Sequence, residues 1–233
     1  MANGKWMQRF ARWHIWLGWL IAIPLVLWTA SGLIMVAKPI EEVRGTTLRL
    51  EPDEREPLRG NPRPIAFRLD GSPRVVELRS FVQRGRAITL ATAPDGTITR
   101  YDAETGASLP PLDEAEARAV VAASIRGGDR IAEMRAFDGD DTPFDYRRLE
   151  AVWQATLADG TRVYVNRATG EVDAVRTRWW RFYDLMWGLH IMDLETREQP
   201  HNPFTITFGI LALAGAVLGS ILLFRRRKRR VRA

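Results

Sequence analysis

The sequence has no cysteine at all. This absence excludes disulfides, thiolate-bound zinc and Cys-ligated iron–sulfur clusters, so a folded domain here must be stable through its core alone. Histidine is scarce as well, because only His14, His190 and His201 occur in 233 residues. The chain contains no glycine-rich phosphate loop, no HExxH zinc motif and no flavin or nicotinamide fingerprint. The sequence therefore carries no signature of a common catalytic class.

Formal charge is missing from two long apolar stretches, residues 15–37 and 204–224. They contain 23 and 21 residues. A helix that rises ~1.5 Å per residue needs about 20 residues to cross a hydrocarbon core of ~30 Å. A cleaved signal peptide is a poor alternative for the first stretch, because it is longer than a signal h-region and contains Trp16, Trp19 and Trp28. We therefore expect two membrane-spanning helices.

Acidic residues are missing from both ends of the chain. Ten of the 34 Lys and Arg lie before residue 15 or after residue 224, whereas the other 24 lie between, with all 28 acids. The positive-inside rule then predicts that both termini are cytoplasmic and that the central domain is periplasmic, in a Gram-negative bacterium. The basic tails suit anionic lipid headgroups of the bilayer. No nucleic-acid partner is expected, because the folded domain lacks a concentration of basic residues.

These observations predict a protein of the membrane α+β class, located in the bacterial inner membrane. Its expected segments are a cytoplasmic N-terminus (1–14), a first transmembrane helix (15–37), a periplasmic α+β domain (38–178), an interfacial amphipathic helix with a loop (179–203), a second transmembrane helix (204–224) and a cytoplasmic basic tail (225–233).

Small residues recur at intervals of four in both apolar stretches. The pairs are Gly18 with Ala22 in the first stretch and Gly215 with Gly219 in the second. Small residues at this spacing let the backbones of membrane helices approach closely. The pattern therefore indicates helix packing through these rows. Residues 46–64, between the first span and the folded domain, read as a proline-rich linker.

The central domain contains an internal repeat with a constant offset of 64 residues. Residues 91–97 (ATAPDGT) match residues 155–161 (ATLADGT), and Thr105-Gly106 matches Thr169-Gly170. Asp-Gly is a strong hairpin signal, so the repeat predicts a strand–turn–strand unit that is used twice. Asp113 to Ile125 is predicted as a helix between the two copies, with Asp113 as its cap.

Residues 179–193 form an aromatic segment that is too short and too charged to span a membrane. Trp180, Tyr183, Trp187 and His190 recur at spacings of 3, 4 and 3, so they share one face of a helix. Such a helix either lies at the outer interface of the membrane or dips into it as the top of a bundle.

These features together resemble the PepSY-associated transmembrane family. The run from Asp159 to Glu171 resembles the last hairpin of a PepSY domain, a small periplasmic module of strand–turn–strand hairpins with a helix. The family's membrane part has a histidine near the start of its first helix, here His14, and a second histidine after the hairpin, here His190. An Asn-Pro pair, here Asn202-Pro203, then leads into the last helix. The resemblance covers most of the chain and is weakest at residues 40–85.

The resemblance implies a haem-binding electron-transfer subunit for iron uptake. Larger members of the family carry four or more membrane helices, and some are linked to ferric-siderophore reduction with haem held by membrane histidines. By this resemblance haem b would be held by His14 and His190. Gly18 would leave room for the flat ring, while Trp187 and Gly188 would shape an outer pocket. Because this chain has two spans only, the other half would come from a second copy or from another protein.

The two expected ligands cannot share one iron, because they lie at opposite ends of a layer ~30 Å thick. One arrangement is a twofold homodimer, in which His14 and His190 each meet their own counterpart in the second copy. In the other arrangement, His190 and His201 bind a single iron within one chain. Asp193 is expected to orient the second ring nitrogen of His190.

Two other functions fit the same sequence. The first is a non-enzymatic, membrane-anchored interaction module, whose hairpin edges bind or regulate a peptidase or another envelope protein. The second is an accessory subunit of a transporter or receptor within a larger membrane assembly, packed through Gly215 and Gly219.

Overall fold

The computed structural model divides the chain into two compact units. It describes residues 2–50, 57–64 and 74–230, with the side chains of residues 6–224 within these ranges. The helical unit contains the residues up to Pro39 and those from Arg181 on, and the β unit contains Ile40–Trp180. Part of the predicted linker and the side chains of the basic tail lie outside the described residues.

The helices are α1 (Ala2–Met35), α2 (Ile40–Val43), α3 (Glu114–Ser124), α4 (Arg178–His190) and α5 (Pro203–Arg230), with short 3-10 helices at Thr46–Leu48 and Gly139–Asp141. The strands are β1 (Glu77–Gln83), β2 (Arg86–Thr92), β3 (Ile98–Asp102), β4 (Ser108–Leu109), β5 (Ile131–Phe137), β6 (Val152–Leu157), β7 (Arg162–Asn166) and β8 (Val172–Arg176).

Two helices of the helical unit, α1 and α5, are long and apolar enough to cross a membrane, over Trp6–Met35 and Pro203–Phe224. Many of their large apolar side chains are exposed in the single chain, as expected of residues that face lipid. The helix α1 starts well before the uncharged stretch and ends just short of Ala37. Pro24 lies inside α1 without ending it, although its missing N–H removes one hydrogen bond from the helix ladder.

The helix α5 packs against α1 through the small residues Gly215 and Gly219. A Cβ on Gly215 would lie 3.4 Å from Ile21 Cδ1, and a Cβ on Gly219 would lie 2.9 Å from His14 Cε1. A Cβ on Gly219 would force the His14 ring or the helices to shift, whereas one on Gly215 would make an ordinary contact with α1. Both glycines lie in the helix seam, so the predicted packing role of this row is confirmed. Gly18 behaves differently, because no described atom lies within 4 Å of its Cβ position. This glycine borders open space beside α1.

The β unit is built from two four-stranded antiparallel sheets, in the orders β1-β2-β3-β4 and β5-β6-β7-β8. The helix α3 packs on the second sheet, where Val120 and Val121 meet Val163 and Val165 in a buried core. Its N-terminus carries a full capping box. The Asp113 side chain accepts from the Glu116 N–H, and the Glu116 carboxylate accepts from the Asp113 N–H. The predicted α+β class and the predicted helix with its Asp cap are therefore confirmed.

The two sheets repeat one strand register at the predicted offset. Ile88 pairs with Asp102 in the first sheet, and Val152 pairs with Asn166 in the second. Each residue of the second pair lies 64 positions after its counterpart in the first. The internal repeat is thus a repeat of backbone structure, in which two antiparallel hairpins share the same pairing.

The turns of the two hairpins use the same local chemistry. Asp95 Oδ1 accepts from the Thr97 N–H at 2.9 Å, and Asp159 Oδ1 accepts from the Thr161 N–H at 2.8 Å. The glycine after each aspartate has a φ of +85° or +80°, a left-handed conformation that side chains with a Cβ rarely adopt. The Asp-Gly-Thr sequence therefore fixes both turns through one side-chain acceptor and one glycine.

One buried position differs in chemistry between the two copies. In the second sheet Tyr164 donates its hydroxyl hydrogen bond to Asp145 Oδ1 at 2.6 Å. The equivalent residue of the first sheet is Arg100, which is 5% exposed. Its Nε has no hydrogen-bond partner among the described residues, its Nη2 donates to Gln83 Oε1 at 3.4 Å, and its nearest carboxylate oxygen, on Glu116, is 4.0 Å away. Arg100 is therefore a buried charge with weak compensation.

Candidate functional site

The helix α4 carries the aromatic segment and places His190 at its C-terminal end. Its N-terminus is capped by Thr177, whose Oγ1 accepts from the Trp180 N–H at 2.9 Å. The helix ends earlier than the predicted segment, and Met192 just beyond it has a left-handed φ of +54°. Because His190 contacts α1 at Ser31, the end of α4 lies beside a spanning helix. The contact places His190 against α1 within the predicted first span, and the depth of α4 in the membrane stays a prediction.

The imidazole of His190 is held by two oxygen atoms of α1. Its Nδ1 lies 3.1 Å from the carbonyl oxygen of Trp28 and 3.2 Å from Ser31 Oγ. The ring also lies against the Trp28 indole, with ring centroids 5.4 Å apart and planes 32° from parallel. A Cβ on Gly32 would lie 3.1 Å from Cε1 of the same ring. Trp28, Ser31 and Gly32 therefore form a cradle for His190 on one turn of α1.

The Asp193 carboxylate does not orient His190, and this prediction was wrong. Its oxygens accept hydrogen bonds from the Thr196 hydroxyl and from the backbone N–H groups of Thr196, Glu198 and Gln199. These bonds, the Thr196 hydroxyl first, hold the pKa of Asp193 well below its ordinary value. Asp193 thus organises the loop after α4, because the loop's own backbone donors are nearer than the imidazole.

Trp187 and Gly188 also support this loop. The Trp187 indole Nε1 donates to the carbonyl oxygen of Arg197 at 2.9 Å. A Cβ on Gly188 would lie 2.8 Å from Arg197 Cγ and 3.0 Å from the Asp193 carbonyl oxygen. Arg197 in turn forms an ion pair of 2.8 Å with Asp184, which is 6% exposed. The space beside Gly188 is therefore filled by the loop.

Two further bonds tie the loop to α5. Asn202 Nδ2 donates to the Ile191 carbonyl oxygen at 2.7 Å, while Asn202 Oδ1 accepts from the Thr205 N–H at 2.9 Å. The Asn-Pro pair thus caps the second spanning helix and fixes the end of the loop. His201, the residue before Asn202, is exposed.

His14 lies in the seam between α1 and α5. Its Cε1 and Nε2 lie 2.9 and 3.5 Å from the position of a Cβ on Gly219. Its Nδ1 is buried and has no hydrogen-bond partner among the described residues. An unpartnered polar atom in an apolar environment is unfavourable, so this nitrogen is a polar atom that the described residues leave unsatisfied.

The two imidazoles lie at opposite ends of the helix pair. Ser31 follows His14 by 17 residues on α1, which corresponds to about 25 Å along a helix axis. Since His190 contacts Ser31, His14 and His190 are too far apart to bind one iron. Among the described residues, no three His, Asp or Glu side chains form a cluster suited to a metal ion.

An open apolar cleft lies between α1 and α5. Ile21, Pro24 and Trp28 form one side, and Phe208 and Ala212 form the other. Trp28 therefore lines this cleft and also contacts the His190 ring.

The structure defines a membrane protein with two apolar helices that flank a pair of repeated antiparallel sheets. Comparison with known families gives a match to the PepSY-associated TM region over residues 11–233. The chain therefore belongs to this family of PepSY-associated transmembrane proteins. No curated protein and no solved structure matches it.

Sequence reasoning found His190 but missed the residues that hold it. Ser31 and Gly32 are small residues near the end of an apolar stretch, where they read as ordinary membrane-helix composition. The only available signal was a hydroxyl beside a glycine on the turn that follows Trp28. The pairing of this turn with the end of α4 is a tertiary contact across more than 150 residues, which no local pattern encodes.

Proposed function

We propose that this protein is an inner-membrane, haem-binding electron-transfer subunit that assists the reduction of ferric siderophore complexes in the periplasm. The observation that carries the proposal is the imidazole of His190, anchored through Nδ1 at the end of a spanning helix pair. An imidazole held in this way by its second nitrogen is typical of histidines that ligate metals. Family membership supports the proposal, because some larger members are linked to this chemistry.

The residues around His190 fit an axial ligand to haem b. Ser31 and the Trp28 carbonyl hold the ring, while the Trp28 indole covers part of it with an apolar surface. Trp187 and Gly188 are not part of the surroundings of the His190 ring in this proposal, because they contact the loop that follows α4. When bound, haem b would supply one-electron chemistry through its ferric and ferrous states. The protein's own contribution is to fix the orientation of the imidazole and to place the Trp28 indole against it.

His14 is proposed as the ligand at the other end of the helix pair. Its partnerless Nδ1 and the close approach of Gly219 support a site in which the ring is held by shape. Gly18, one turn further along α1, leaves open space that a flat ring can occupy. In a homodimer a second chain would supply the same imidazoles about a twofold axis, which completes a pair of ligands at each depth.

The proposed orientation places the β unit outside the cytoplasm. Arg9 and Arg12 precede the uncharged part of α1, and the chain after residue 224 is strongly basic, so the positive-inside rule favours cytoplasmic termini. Protease added to intact spheroplasts should cut the β unit. Protection in spheroplasts, with digestion only in inverted vesicles, would reverse the orientation and remove the periplasmic substrate from the proposal.

The absorbance spectrum of the full-length protein tests haem binding directly. Protein purified in detergent from cells with ample haem should show a Soret band. His190→Ala and His14→Ala should each lose about half of the bound haem, because each removes one of two sites. The double variant should lose all of it. The absence of a Soret band in the wild-type protein would overturn the proposal.

His201→Ala separates the two arrangements of ligands. In the homodimer this exposed residue is not a ligand, so the variant should keep its full haem content. Loss of the haem site that also depends on His190 would instead assign both residues to one iron within a chain.

Full cellular function in the variant that lacks His14 and His190 would favour the interaction module.

A further inference from the structure

We propose that Ser31 and the carbonyl oxygen of Trp28 lock His190 in the tautomer that carries its proton on Nδ1. The atom left to bind an iron, or any other acceptor of a lone pair, is then Nε2. Gly32 is the residue that permits this lock, because it lets the imidazole lie directly against α1. The role of Nε2 as a haem ligand rests on the proposed function, whereas the tautomer itself does not.

The hydrogen-bond capacity of the three groups decides where the proton lies. The carbonyl oxygen of Trp28 can only accept, and it lies 3.1 Å from Nδ1. The hydroxyl of Ser31 donates to this same carbonyl oxygen at 3.0 Å, so its oxygen faces Nδ1 as an acceptor at 3.2 Å. Both neighbours of Nδ1 are therefore acceptors, and only a protonated Nδ1 satisfies them.

The opposite tautomer would place a bare nitrogen beside a carbonyl oxygen. The Ser31 hydroxyl could turn toward that nitrogen only by giving up its own bond to Trp28. Ser31 is 2% exposed, so water does not replace the lost bond, and an unsatisfied buried group is costly. In the neutral ring, the hydrogen bond made by one nitrogen decides the state of the other, and here it leaves the proton on Nδ1 and the lone pair on Nε2.

Packing restricts the ring in addition to hydrogen bonding. The Cβ of an alanine at position 32 would lie 3.1 Å from Cε1 and 3.4 Å from Nδ1 of His190. The ring would have to move by a few tenths of an ångström from the position in which both oxygens contact Nδ1. We expect Gly32→Ala to weaken the lock while it keeps the Ser31 hydroxyl. Gly209→Ala is the matched control, because no described atom lies within 4 Å of the added Cβ.

Solid-state NMR on haem-free protein tests the lock. The full-length chain is labelled with 15N-histidine and reconstituted in lipid at neutral pH, and its three histidines are assigned by loss of signal in single alanine variants. The wild-type His190 should show a protonated Nδ1 and an unprotonated Nε2. A protonated Nε2 with a bare Nδ1, or a doubly protonated ring, would overturn the proposal.

Ser31→Ala then measures the part that the hydroxyl plays. The tautomer ratio at His190 should shift about fivefold toward the Nε2–H form, which is the effect of one net hydrogen bond. Ser220→Ala is the matched control, because that hydroxyl also donates to a helix carbonyl, on Ala216 at 2.9 Å. It should leave the ratio unchanged. An unchanged ratio in Ser31→Ala would mean that Ser31 is not a positioning residue.

The two proposals fail in different ways. If haem binds but the haem-free His190 carries its proton on Nε2, the lock is wrong and the electron-transfer function stands. If the lock is found but the purified protein takes up no haem, the function is wrong and the lock stands.

Discussion

Replacing Arg100 with methionine should stabilise the β unit, although the change removes a charge that has a carboxylate nearby. Burial lowers the pKa of this guanidinium, because the charged form loses its hydration. Its compensation is weak, with one hydrogen bond of 3.4 Å to Gln83 and one carboxylate oxygen of Glu116 at 4.0 Å. Replacing weakly paired buried charges by apolar side chains of similar size is often stabilising.

The expected gain is about 1–3 kcal/mol in the free energy of unfolding. The usual penalty for breaking a buried ion pair arises when the remaining charge stays buried. That penalty is avoided here, because the Glu116 side chain is 39% exposed and keeps its contact with water. Gln83 also keeps bonds from its Nε2 to the carbonyl oxygens of Thr169 and Gly170. A gain of this size corresponds to about 2–4 °C in Tm for each kcal/mol.

Thermal unfolding of the full-length protein in detergent measures this effect. The unfolding transition of the β unit is monitored by circular dichroism. Arg86→Met is the control, because the Arg86 side chain is 52% exposed and its ion pair with Asp102 is worth at most about 1 kcal/mol. That variant should be neutral or slightly less stable. A loss of stability of more than about 1 kcal/mol in Arg100→Met would refute the reasoning, because it would show that the buried charge is well compensated.

Three further predictions concern local features. Asp113→Ala should lower the stability of the β unit by about 1 kcal/mol through loss of the α3 cap, whereas Asp113→Asn should keep it, as measured by the same unfolding. Gly219→Ala should overpack the seam at His14 and lower the free energy of unfolding by about 1–3 kcal/mol, which is measured as a lower Tm in detergent. Gly209→Ala should leave the Tm unchanged. The depressed pKa of Asp193 predicts that amide protection in its loop persists from neutral pH to about pH 4 and falls progressively below it, as protonation removes the acceptor; hydrogen exchange measures this.

The β unit could be predicted well because its signals are local. The Asp-Gly turns, the Asp cap of α3 and the offset of the repeat are short-range patterns, in which each residue acts on a backbone a few positions away. The two repeated hairpins and their Asp-Gly turns followed from them. The apolar stretches and the small-residue row of α5 were likewise readable, because membrane crossing and close helix packing leave strong compositional marks.

The surroundings of His190 could not be predicted, because they depend on which side chains meet after the helices have packed. Asp193 was a reasonable partner by sequence distance, yet its carboxylate is used by the loop that follows it. The actual partners are an ordinary serine and a main-chain carbonyl group on a helix that lies at the other end of the chain. Every residue offers the same main-chain carbonyl group, so this part of the cradle cannot be predicted from the sequence.

The matched pairing of the two hairpins means that one strand register holds two different sets of buried side chains. A guanidinium lies in the β2–β3 hairpin and a phenol at the corresponding position of the β6–β7 hairpin, within the same strand pairing. The interior of each copy can therefore carry its own chemistry within one shared pattern of strand pairing.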